Sequence, residues 1–198
     1  MFLRPIQLAL LLTLASVGFS VSAESVDFTA TATELIDTLK GSGVAINNAS
    51  VVLTAEDNKQ TGIFSGYNFL FGTNIDSGVV FSTGNTLDVV GVNSGDNTST
   101  RYNNTANNDP QFGNVRDLVK LSFDVVPAEN TLIVDYVFGS DEYNEFVNSG
   151  FNDLVRVFVS TDGGANYTNC ALTAAGLTVE IDSINQGSNS FLYNDNDF

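Results

Sequence analysis

Histidine and tryptophan are absent from the 198 residues, and cysteine, methionine and proline number only one, one and three. Without histidine there can be no Ser-His-Asp triad, no Cys-His pair and no His-ligated zinc. A single cysteine, Cys170, can neither close an internal disulfide nor build a Cys-rich metal site. It is expected as a small core or turn residue, or else as a thiol joining two exported chains. Positive charge is scarce as well: seven Lys and Arg stand against 23 Asp and Glu, for a net charge of −16. Such a chain repels phosphate backbones, which excludes nucleic acid as a partner.

Long apolar runs are missing beyond the N terminus. Residues 8–19 are apolar but shorter than the roughly 18–20 residues a spanning helix needs. They follow a short segment whose one charge is Arg4, and they precede Val21-Ser22-Ala23. That order predicts a secretory signal peptide, residues 1–23, cleaved after Ala23. Its loss removes one of the few bases. Residues 24–198 are then expected as a single exported domain, secreted or at the cell surface, with no membrane span in the mature chain and any anchor lying beyond Phe198.

What is present points to a folded, mainly β chain. Hydrophobic residues make up 43% and phenylalanines number 15, enough for a packed core rather than a disordered chain. Polarity rests mostly on Asn, Ser, Thr and Gly, which favour turns and strand faces over helix interiors. One helix is expected over residues 33–40, capped by Thr31 or Thr33, with Leu35, Ile36 and Leu39 on one face and Gly41 ending it.

The rest reads as short strands between turn clusters: residues 44–46, 50–54, 62–71, 77–82, 86–92, 118–126, 131–139, 154–160 and 177–184. The strand over 131–139 places Leu132, Val134, Tyr136 and Phe138 on one face, and Ile133, Asp135 and Val137 on the other. Asp162-Gly163-Gly164 marks a hairpin turn. The pattern predicts an antiparallel β-sandwich, jelly-roll-like, with one short N-terminal helix. Residues 93–114 are rich in Asn and poor in core residues. They form either a recognition loop for polar ligands such as glycans or a solvated, disordered loop.

The densest acidic constellation is Asp141, Glu142 and Glu145, followed by Asn152 and Asp153. Clustered carboxylates repel one another unless a partner neutralises them. Calcium takes six to eight oxygen ligands from flexible loops, so these five residues form a candidate calcium site. Two bland readings compete with it. The turn can be solvated, its side chains capping local backbone groups, or Arg156 can neutralise Asp141 or Asp153 directly. A hydrolytic reading pairs Glu142 with Asp153 or Glu145, as glycoside hydrolases pair two carboxyls across a bond. The absence of tryptophan removes the best sugar platform, although Tyr102, Tyr143, Tyr167 and Tyr193 remain.

Several segments together resemble the choice-of-anchor L domain of secreted bacterial proteins. Leu39-Lys40-Gly41-Ser42-Gly43-Val44 is similar to its opening turn, and Asp76-Ser77-Gly78-Val79-Val80-Phe81-Ser82-Thr83-Gly84-Asn85 to its "DSGVVLSTGN" strand. Residues 136–153 resemble its "YVFASEEYxEFVxSxFND" core, with Asp141 where Glu is commoner. Ser183-Ile184-Asn185 and Leu192-Tyr193-Asn194-Asp195-Asn196 resemble late motifs. The family pattern runs on through a further strand, so the domain is expected to be C-terminally incomplete. The resemblance implies a non-catalytic surface or extracellular module. Its expected role is adhesion or binding of a glycan or matrix polymer, with a lectin-like module and a carboxylate-based glycoside hydrolase as alternatives.

Overall fold

The computed structural model describes residues 24–66, 75–90, 100–102 and 107–195. The expected signal peptide, part of the 62–71 strand and much of the Asn-rich stretch lie outside them. The described chain is mainly β, with several antiparallel ladders and one α-helix, as expected. These ladders are compatible with a sandwich.

Helix α1 spans Ala32–Leu39. Its start is written in the Thr31–Glu34 spacing. The Thr31 hydroxyl accepts the Glu34 N–H at 3.3 Å, and the Glu34 carboxylate accepts the Thr31 N–H at 2.7 Å. Each satisfies a donor that the helix end would otherwise leave unpaired. Leu35 and Ile36 are fully buried, whereas Leu39 is exposed. The chain then turns at Gly43, whose positive φ of 83° a side chain would resist.

Strands β1 (Ser25–Asp27), β3 (Thr61–Ser65) and β4 (Ser77–Phe81) form one antiparallel sheet with β3 in the centre. Gly62 makes close pairing with β1 possible, because a Cβ there would lie 2.5 Å from Val26 Cγ1. Strand β2 (Val44–Thr54) pairs with β7 (Lys120–Pro127), and the register slips between Asn47 and Val52. The two short strands expected at 44–46 and 50–54 are therefore one strand with an irregularity. At the slip, Asn47 O accepts the Ser50 hydroxyl, whose oxygen in turn accepts the Asp124 N–H at 2.7 Å. On β7, Leu121, Phe123 and Val125 are half-buried while Ser122 and Asp124 are exposed, the alternation of a one-sided strand.

Four expected strands come out differently. Residues 86–89 form a 3-10 turn, because Asn85 accepts the Leu87 N–H at 3.0 Å and closes the chain locally. Residues 131–139 take no regular secondary structure and enter no ladder among the described residues, and Ile133 is 77% exposed. Of residues 154–160, only Phe158–Val159 (β8) form a ladder strand, with Thr168–Asn169 (β9), across the expected Asp162-Gly163-Gly164 turn. Residues 177–184 contribute isolated bridges, Leu172 with Thr178 and Leu154 with Glu180. Strands β5 (Asn107–Asp109) and β6 (Gly113–Val115) form a hairpin inside the Asn-rich stretch.

Leu35, Ile36, Leu118, Ala171, Ile181 and Ile184 form the buried apolar core of the described residues. Gln60 is fully buried as well and acts as a polar tie. Its amide donates to the carbonyls of Thr83 and Asp117, and its oxygen accepts the N–H groups of Glu56 and Asp57. With both its donor and acceptor groups satisfied, it costs little to bury.

Candidate functional site

The acidic segment lies on a run of turns, residues 141–150, packed against residues 180–193. Ser140 organises its entry. The Ser140 hydroxyl donates to Asp153 Oδ2 at 2.8 Å and accepts the Glu142 N–H at 3.1 Å. Asn152 Oδ1 accepts the Asp182 N–H at 3.2 Å, and Asp182 Oδ1 accepts the Asn148 N–H at 2.6 Å. The Asp153 carbonyl accepts the Ile181 N–H at 3.1 Å. The Asn152 side chain and the Asp153 carbonyl thus tie this segment to the backbone of residues 181–182, while the Asp153 carboxylate holds Ser140. Glu145 is exposed.

Among the described residues, no three His, Cys, Asp or Glu side chains are gathered in a group that could hold a metal ion. The carboxylates of Asp141, Glu142 and Asp153 are nonetheless near enough to feel one another. Burial pushes the Glu142 carboxyl above the ordinary glutamate range, Asp153 and then Asp141 push it further, and Arg101 opposes them.

Arg156 does not serve this cluster. It ion-pairs with Glu180, and its other guanidinium nitrogen donates to the carbonyls of Val155 at 2.9 Å and Val179 at 3.1 Å. The expected alternative, Arg156 with Asp141 or Asp153, is corrected on that ground. The bridge between Leu154 and Glu180 sets Glu180 alongside the arginine's own segment, 24 residues away in sequence. Spacing along the chain carries no signal of such a partner.

Aromatic packing closes the other side. Tyr143 and Tyr193 pack with their rings tilted 53° to one another and centroids 4.9 Å apart. The Tyr143 hydroxyl donates to the Ile184 carbonyl at 2.7 Å, and the Tyr193 hydroxyl donates to Asn144 Oδ1 at 3.1 Å. Burial, with smaller contributions from Tyr193 and Asp153, pushes the Tyr143 phenol up to about 12. Phe146 packs edge-on against Phe151 at 5.6 Å.

The described part of the Asn-rich stretch is an anchored hairpin rather than a solvated loop. Asp109 ion-pairs with Lys120 on β7 and accepts the N–H groups of Gln111 at 2.8 Å and Phe112 at 3.1 Å. Burial pushes its carboxyl up, but these partners outweigh it and hold the group below the usual aspartate range. Phe112 meets Phe158 of β8 edge-to-face at 5.3 Å. Asn108 and Asn114 are directly opposed across β5 and β6, and both are exposed. The Asp109-Pro110 pair followed by Phe112-Gly113 was the available turn signal for this hairpin. Cys170, expected in a core or turn, is exposed, with its N–H donating to the Val157 carbonyl at 2.7 Å.

The fold and site together define a mainly β domain whose loops are held by their own carboxylates, amides and tyrosines. The family model of the choice-of-anchor L domain matches residues 23–197, and the chain belongs to that family. No curated protein and no solved structure matches it. The family is one of bacterial surface and secreted proteins. Among the described residues no helix is long and apolar enough to cross a membrane.

Proposed function

We propose that the chain is a non-catalytic module, secreted or displayed at the bacterial surface, that serves adhesion or binding of a glycan or matrix polymer. The observation that carries the reading is the β5–β6 hairpin. It is anchored beneath by the Asp109–Lys120 pair and the Phe112–Phe158 contact, and it presents Asn108 and Asn114 outward. Side chains directly opposed in an antiparallel pair share one face, about 5 Å apart. Each amide offers two donors and an acceptor, the complement of hydroxyls on a neutral polysaccharide. The strongly negative chain disfavours anionic polymers. A hydrolytic reading fits less well, because Asp153 is already engaged by Ser140 as part of the loop's scaffold.

Native electrophoresis through gels cast with neutral polysaccharides tests the polymer reading. Retardation of the wild type is expected, and its loss in the N108A/N114A double variant at unchanged thermal midpoint. A wild type that no polymer retards refutes it. Protease shaving of intact cells tests surface display.

Calcium is a second proposal, supported by the like-charge pressure that Asp153 and Asp141 exert on Glu142. Asp141, Glu142, Glu145, Asn152 and Asp153 would have to close around the ion, since their carboxylates are not gathered as they stand. Calcium is expected to raise the melting midpoint and EDTA to lower it. A midpoint indifferent to both sinks the calcium reading and leaves the module reading intact.

A further inference from the structure

We draw no further inference here: the strongest candidate, the exposed apolar strip of Leu132, Ile133, Val134, Tyr136 and Val137 that follows β7, carries no proposal because nothing in the structure shows what covers it.

Discussion

Neutralising Glu180 should destabilise the domain by an amount that the structure allows to be worked out. The Glu180 and Arg156 side chains are only 17% and 15% exposed, so the pair is mostly withdrawn from water. Removing one partner of a fully buried pair costs about 3–5 kcal/mol, because the other charge is left uncompensated. Residual exposure and screening reduce this here to about 2–3 kcal/mol for Glu180→Gln. Arg156→Met also removes two hydrogen bonds to backbone carbonyls, each worth about 1 kcal/mol, so a slightly larger loss is expected. Urea titration is the assay. At a slope of about 2 kcal/mol/M, the Glu180→Gln midpoint should fall by about 1 M. A double-mutant cycle should return a coupling of about 1–2 kcal/mol.

The pH dependence of the same variant adds a second readout. Burial pushes the Glu180 carboxyl up, but its hydrogen bond to Arg156 and further partners hold it below the ordinary glutamate value in the folded state. Its contribution is therefore fully present above the unfolded value and is lost as pH falls through the folded one. Glu180→Gln should flatten that acid limb. A loss under about 0.5 kcal/mol, or strictly additive single variants, would show that the pair behaves as an exposed one and refute the reasoning.

Four further outcomes follow from the geometry. Thr31→Ala removes the hydroxyl half of the α1 capping arrangement, leaving the backbone N–H of residue 31 to Glu34, and should cost about 1 kcal/mol by chemical denaturation, whereas a neutral result removes the hydroxyl's role. Tyr143→Phe orphans the Ile184 carbonyl and should cost about 1 kcal/mol, and ultraviolet titration of the wild type should show one tyrosine ionising only near pH 12. Asp162 accepts from Ser160 and Asn166 across the β8–β9 turn, and NMR titration should place its carboxyl at about 2, its main cause being the Asn166 side-chain hydrogen bond. Glu142 has its folded carboxyl raised, so it lowers stability as pH rises through that raised value. Glu142→Gln should therefore raise the midpoint at pH 7 in EDTA, and an unchanged or lower midpoint contradicts the account of burial and like charge at this carboxyl.

What could be read from the sequence was local, and what could not was a matter of partners. The sequence offers Thr31 or Thr33 as the cap of α1, and Glu34, three residues after Thr31, is the local feature that decides for Thr31. The β7 alternation is equally local, and it correctly separates Leu121, Phe123 and Val125 from Ser122 and Asp124. Alternation identifies faces, however, and says nothing about what lies across from them. Residues 131–139 have an excellent strand pattern and no ladder among the described residues, because pairing also needs backbone groups brought in from elsewhere.

The candidate site shows the same division in its chemistry. The acids of 141–153 are conspicuous in sequence, yet the turn that carries them is held through Asn152, Tyr143 and Asn144 by Asp182, Ile184 and Tyr193, 30 to 49 residues away. Arg156 makes the case most directly. Its nearest conspicuous acid in sequence is Asp153, and the bridge from Leu154 to Glu180 delivers a different carboxylate to the same guanidinium. With its cation committed there, Arg156 does not relieve the like charge that Asp153 and Asp141 exert on Glu142, which Arg101 opposes. That like-charge pressure on Glu142, rather than the number of acids in the segment, is the physical reason to test a cation on this loop.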